Sequence, residues 1–299
     1  MNIFVTGASG YIGGAVAHRL LQLGHSVTGL TRTEATAQLL RQRGIEPIIG
    51  SLDDAAVLTS AAQEADAVIH AASADHEPSV HTLVAALERS GKLLIHTSGS
   101  AIVADDACGE YASEKVFSDD DYFEPVPFRR QRVEMNRHVR EAAIDKGVRG
   151  VVICPSMIYG VGAGLKQESE QIPQMTAISA QVGAGIYVGK GLNRYSNVHI
   201  DDLVDLYLLV LEKAPGGSFY FAENGHASFL EIARLISDSL GLGGKTQSLD
   251  VDYVTSNLGE AARYGAASNS RVSAVNARRL GWSPSRPSLV EDFLGTRST

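Results

Sequence analysis

The chain is poor in the features that mark several functional classes. It has two cysteines in 299 residues, Cys108 and Cys154, far apart and without metal-ligand spacing. Neither a disulfide framework nor a metal site is suggested, and a reducing compartment fits. No Lys/Arg run of the kind that follows a nucleic-acid backbone or an anionic membrane surface occurs, and the formal net charge of −8 works against phosphate-rich partners. No apolar stretch is long enough to span a bilayer. The first residues, Met1 to Val5, already read as a strand and leave no room for a signal peptide, so a cytoplasmic location is expected. What remains as partners is a small-molecule substrate and a second copy of the chain, with no nucleic acid and no membrane.

Hydrophobic residues make up 44% of the sequence, enough for one large core, with or without a smaller lobe. Short apolar runs at Ile3 to Thr6, Ser26 to Thr31, Glu46 to Ile49, Ala67 to Ala71, Leu93 to Thr97 and Arg149 to Cys154 read as strands. Between them, Tyr11 to Leu23, Glu34 to Arg43, Ala55 to Glu64, Ser79 to Ser90 and Arg129 to Lys146 carry the helical period. The pattern is a repeated βαβ unit, which predicts an α/β fold: a Rossmann-type, doubly wound parallel sheet covered on both faces. After Pro155 the rhythm loosens into a glycine-rich stretch and resumes with helices from about Asp201 and over Phe229 to Leu240. A dinucleotide-binding core over residues 1–155 is therefore expected, with residues 156–299 forming mainly a substrate lobe and some of its segments returning to the core. Tyr264 to Ser270 reads as a loop.

The first strand runs into Gly7-Ala-Ser-Gly10-Tyr-Ile-Gly13 and then a helix. In such a loop Gly7 permits a sharp turn, Gly10 permits close approach of a pyrophosphate, and Gly13 permits close packing of helix on strand. The spacing, placed between a strand and a helix, points to a dinucleotide. At the end of the second strand stands Thr31 rather than the acid that takes the ribose hydroxyl of NAD. Arg32 follows it and can pair with a 2′-phosphate, so NADP(H) is preferred over NAD(H), although Glu34 keeps NAD in view.

These motifs resemble the short-chain dehydrogenase/reductase superfamily in its extended, epimerase/dehydratase-like branch. Thr6 to Gly13 is similar to its glycine motif, and Val68-Ile-His-Ala-Ala72 to the fourth-strand motif beside the cofactor. His96 to Val103 resembles the fifth-strand end, and Cys154-Pro-Ser-Met-Ile-Tyr-Gly160 the sixth-strand exit. Val198 to Leu203 and Leu280-Gly-Trp-Ser-Pro284 resemble the branch's C-terminal landmarks. The resemblance implies a cofactor site at Gly7, Ser9, Gly10, Tyr11, Ile12, Gly13, Arg32, Leu52, Ala71, Ala72 and Pro155. Gly50-Ser51-Leu52 departs from the Gly-Asp-Leu that usually follows the third strand.

The family's chemistry implies a tyrosine that protonates the substrate carbonyl, a lysine four residues later, and a serine that orients the carbonyl. Ser100 takes the serine's place. Two segments compete for the dyad. Tyr111-Ala-Ser-Glu-Lys115 has the literal spacing, but Pro125 and Pro127 interrupt any helix leading from it to the next strand. The helix beginning near Phe128 leads directly into that strand, and in its register Phe128 falls at the tyrosine and Arg132 at the lysine. Phenylalanine has no proton to give. The departure resembles the atypical members of the superfamily, in which Tyr111, Tyr122 or Tyr159 could serve as another donor from a loop.

On the substrate side, Tyr195 stands where sugar-nucleotide epimerases of this branch carry an arginine that grips the diphosphate. His199, Asp201 and Asp202 read as structural, with Asp201 as a helix N-cap, and no metal is expected. The leading expectation is an NADP-dependent oxidoreductase of a small carbonyl or alcohol, with Ser100 and Arg132 in the site. A non-catalytic NADP(H) sensor and a sugar-nucleotide epimerase or dehydratase are the alternatives. The helix from Phe128 is a candidate homodimer element.

Overall fold

The computed structural model describes residues 1–295; residues 296–299, the end of the expected substrate lobe, lie outside the described residues. The strands of the first half are β1 (Asn2–Thr6), β2 (Ser26–Thr31), β3 (Glu46–Ile49), β4 (Ala67–His70), β5 (Leu93–Thr97), the short β6 (Phe117–Ser118) and β7 (Arg149–Pro155). The helices between them are α1 (Tyr11–Gln22), α2 (Glu34–Gln42), α3 (Ala55–Glu64), α4 (Glu77–Ala86) and α5 (Arg130–Asp145). Most expected boundaries lie within a residue or two of these.

The second half contributes β8 (Met157–Tyr159), α6 (Gln171–Val182), β9 (Gly185–Val188), β10 (Arg194–His199), α7 (Ile200–Lys213) and β11 (Phe219–Ala222). It ends with β12 (His226–Ser228), α8 (Phe229–Ser239), β13 (Thr246–Leu249), α9 (Val251–Ala266), β14 (Val272–Ser273), α10 (Val275–Leu280) and α11 (Leu289–Gly295). The stretch expected as a loop from Tyr264 therefore begins inside α9.

Seven parallel strands form the main sheet in the order β11-β7-β5-β4-β1-β2-β3. Every residue of β4 and β5 is buried, as a central strand covered by helices on both faces requires. β11 pairs with β7 in parallel, so the C-terminal half does return a strand to the core. The smaller lobe holds the sheet β12-β10-β8 and the pair β13-β9. Its own apolar cluster includes Met157, Ile186, Tyr195, Phe229 and Ile236. α8 starts with a capping box between Ser228 and Glu231.

Two histidines lie side by side in the sheet at the ends of β4 and β5. His70 and His96 are register partners with ring centroids 5.6 Å apart, and both are fully buried. His70 is bonded to Thr6 Oγ1 at 2.7 Å and to Ser79 Oγ at 3.1 Å, whereas neither ring nitrogen of His96 has a partner among the described residues. Burial, and then the charge of His76, push His70 down to about 4. An unfolded chain takes up this proton near pH 6.5, so the folded state loses stability as pH falls from about 6.5 to about 4. For His70 alone the loss by pH 4 is on the order of 3 kcal/mol. Urea unfolding across that range should show the decline, and His70→Gln should make it shallower, with His96, whose imidazole burial also drives down, supplying what is left.

Candidate active site

A cleft of about 620 Å³ opens where β1, β4, β5 and β7 end. Gly10, Tyr11 and Ile12 form one side, Ala71 and Ala72 follow β4, Thr97 to Ala101 follow β5, and Pro155 and Ser156 end β7. Facing them are Arg129 and Arg132, Gln171 of α6, Tyr195 of β10 and Gly265 of α9. The cleft therefore lies at the carboxyl ends of the strands and is roofed by the smaller lobe.

The glycine loop has the backbone that its spacing requires. Gly7 has φ +78°, and a Cβ there would stand 2.8 Å from the Ala71 carbonyl oxygen. A Cβ at Gly13 would collide with the Gly7 carbonyl. Gly10 donates its N–H to the Gly7 carbonyl at 2.8 Å and caps α1 without any side-chain hydrogen bond. The first turn of α1 thus presents amides and the positive end of its dipole to the cleft, which fits a dinucleotide pyrophosphate. The Tyr11 hydroxyl donates to the carbonyl oxygens of Gly160 at 2.7 Å and Tyr159 at 3.1 Å, tying the loop to the second half.

Of the residues expected in the cofactor site, Gly10, Tyr11, Ile12, Ala71, Ala72 and Pro155 line the cleft. Gly7, Ser9 and Gly13 shape the loop behind it. Leu52 is half-buried against the main core, and Arg32 is exposed just beyond β2, next to buried Thr31.

Ser100 begins a 3-10 turn over Ser100–Val103, and it is buried while lining the cleft. Ser270 donates from Oγ to the Ser100 carbonyl at 2.8 Å and stands 3.0 Å from its hydroxyl. Arg132 lines the cleft too. It grips Asp75 through both Nε, at 2.7 Å, and Nη2. Burial pushes the Asp75 carboxyl up, but the Arg132 hydrogen bonds and charge, with help from Arg129, outweigh it and hold Asp75 below its usual range.

Neither segment with the expected dyad delivers a tyrosine to the cleft. Residues 111–115 form no helix, so the four-residue spacing of Tyr111 and Lys115 puts them on no common face. Asn269 holds this segment extended, accepting from the Ser113 N–H at 3.1 Å and donating to the Tyr111 carbonyl at 3.2 Å. The Tyr111 hydroxyl turns to Asp105 at 3.3 Å, and the Lys115 ammonium sits 4.3 Å from the Phe117 ring centroid. Phe128 is half-exposed in the turn Pro127–Arg129 before α5 and stacks on Tyr264 at 5.8 Å. Tyr122 is exposed, and Tyr159 donates its hydroxyl to the Pro287 carbonyl at 2.7 Å.

Besides Tyr11 of the glycine loop, whose hydroxyl is committed to backbone carbonyls, Tyr195 of β10 lines the cleft, 3% exposed. Burial raises its phenol above the ordinary value, while the Ser270 and Ser100 hydroxyls and the Arg129 and Arg132 charges work in the opposite direction. Sequence reasoning used Tyr195 only as the loss of an arginine. It gave Arg129 no role. His199, not Asp201, caps α7: its Nδ1 accepts from the Asp201 N–H at 3.1 Å, because the helix begins one residue earlier than expected. Asp202 is buried and accepts from the backbone of Ser285 at 2.8 Å and Arg286 at 3.1 Å.

Comparison with known proteins finds a match to the NAD dependent epimerase/dehydratase family over residues 3–220. The chain is 32% identical to an Acremonium protein named Oxidase ucsJ, over 97% of this chain and 95% of that one. It is 26% identical to a 2-alkyl-3-oxoalkanoate reductase of Stenotrophomonas maltophilia, over 82% of this chain and 76% of the relative. Its fold is similar to that of DesIV, a dTDP-glucose 4,6-dehydratase of Streptomyces venezuelae solved with NAD and TYD bound. That likeness has a TM-score of 0.78 at 18% identity, covering 100% of this chain and 98% of the other.

The crowding behind the loop yields a direct test. Gly13→Ala should weaken the binding of a reduced nicotinamide dinucleotide about tenfold or more, because the Gly7 carbonyl must move to admit a methyl group. Titration of nucleotide fluorescence measures it; unchanged affinity would mean that the loop does not seat the dinucleotide.

Proposed function

The chain belongs to the NAD dependent epimerase/dehydratase family, and within it we propose an NADP-dependent oxidoreductase that interconverts a small carbonyl compound and its alcohol. The observation that carries the reading is the grouping of the Tyr195, Ser100 and Ser270 hydroxyls at the cleft. It supplies a phenol where Phe128 cannot. The dinucleotide, when bound, supplies the hydride. Tyr195 gives its proton to the carbonyl oxygen that Ser100 orients, and the resulting phenolate is favoured by the Ser270 hydroxyl and the two guanidiniums until solvent restores the proton. Arg132, held by Asp75, takes the lysine's place toward the nicotinamide ribose but, staying protonated, relays no proton.

Arg32 and the lack of an acid at Thr31 favour NADP. The names of the relatives include a reductase and an oxidase, consistent with hydride transfer in either direction. Tyr195, in place of the diphosphate-gripping arginine, argues against a sugar nucleotide. A dinucleotide sensor without turnover is the second reading, favoured by Phe128 at the tyrosine position.

The test is NADPH oxidation with a panel of small ketones, oxo acids and their esters. Tyr195→Phe should lower kcat roughly 100-fold to 10,000-fold while NADPH binding is retained, and Arg32→Glu should shift preference toward NADH. A Tyr195→Phe enzyme as fast as the parent would remove the donor from the scheme. A parent protein that binds NADPH and turns over nothing would favour the sensor.

A further inference from the structure

Arg129 ends the turn Pro127–Arg129 and is only 5% exposed, yet among the described residues it has no carboxylate of its own within ion-pair distance. Its neighbours have theirs: Arg132 grips Asp75, and Arg130 lies 3.7 Å from Glu124. Among the described residues Arg129 makes no ion pair, and its Nε is buried without a hydrogen-bond partner. Its close contact is a π face, the Phe128 ring, 4.7 Å from its guanidinium carbon, while Asp75, already engaged by Arg132, acts on it from beyond ion-pair distance. Phe128 in turn stacks on Tyr264 of α9. Burial, and then repulsion from Arg132, push the Arg129 pKa down, so the charge is held in place at a cost.

That guanidinium lines the cleft together with Ser100 and Tyr195. We propose that Arg129 is the anchor for a carboxylate on the substrate, which makes the substrate class an oxo acid or the corresponding hydroxy acid. The inference rests on the oxidoreductase reading for the orientation of the carbonyl toward Ser100 and Tyr195. A planar guanidinium matches a carboxylate with two parallel hydrogen bonds, and a desolvated pair of this kind is stronger than a surface one. The ligand's negative charge supplies what the protein withholds. The phenylalanine that removes the family's proton donor thereby gains a role, as the platform under the anchor.

The test uses the full-length protein loaded with NADP+, titrated calorimetrically with 3-oxohexanoate and with its ethyl ester. The acid should bind at least about tenfold more tightly than the ester, and Arg129→Gln should weaken the acid by about tenfold to a hundredfold while leaving the ester and NADPH unchanged. In the ligand-free protein Arg129→Met should unfold at the same temperature as the parent or higher, since an uncompensated buried charge is gone. Equal binding of acid and ester by the parent, or an acid preference that survives Arg129→Gln, would overturn the anchor. Weakened NADPH binding in Arg129→Gln would also overturn it, assigning the cation to a cofactor phosphate, and a large drop in the Arg129→Met melting temperature would assign it to structure. NADPH turnover separates the two ideas. A protein that reduces acid and ester alike keeps the reductase and loses the anchor, whereas Arg129-dependent acid binding without any NADPH oxidation keeps the anchor and loses the reductase.

Discussion

The close contact of Gly13 with the Gly7 carbonyl sets the distance between α1 and β1, and much of the site follows from that distance. Because no side chain separates helix from strand, the first amides of α1 reach the ends of β4 and β5, where Ala71 and Ser100 line the cleft. The Tyr11 hydroxyl then fastens the same loop to the backbone at Tyr159 and Gly160, the segment by which the chain enters its second half. The phosphate cradle and the roof above it are thus one connected piece of backbone. A side chain at Gly13 would disturb both.

Charge is distributed unevenly across this cleft. Arg132 is neutralised by Asp75 and so can lie beside a nucleotide ribose as a fixed hydrogen-bond donor. Arg129, three residues earlier, lies against an aromatic face and shares only the distant charge of the Asp75 that Arg132 already holds. A phenol beside the Ser100 and Ser270 hydroxyls and within the field of Arg129 suits a reaction in which negative charge develops on oxygen. Burial raises the Tyr195 phenol and those neighbours offset part of the rise, so in the carbonyl-reducing direction it holds a proton to give.

The core was legible because its strands have little choice. β1, β4, β5 and β7 are covered on both faces and must be apolar along their length, which makes runs such as Ile3-Phe4-Val5 and Val151-Val152-Ile153 unmistakable. The second half was harder. β8 and β12 are three residues long, β13 is partly exposed and polar, α6 carries Pro173 near its start, and Gly259 puts a kink with φ +82° inside α9. The glycine loop could be read because backbone geometry dictates residue type. Ser100 could be read from its place at a strand end. Tyr195 and Arg129 could not, because their meaning depends on which segments meet: β10 approaches the turn before α5 only in the folded chain. The Tyr111–Lys115 spacing, which Pro125 and Pro127 already spoke against, has no structural meaning here, since a helical interval carries information only where a helix forms.

If Tyr195 is the proton donor, as proposed, the donor stands on β10 and not in the turn and helix before β7. The most direct measurement is a crystal structure of the protein with NADP+ and 3-hydroxyhexanoate bound. The alcohol oxygen is expected within hydrogen-bond reach of both the Tyr195 and Ser100 hydroxyls, with Tyr111 still turned to Asp105. An alcohol oxygen bonded to Tyr111, or one that meets no phenol at all, would contradict it.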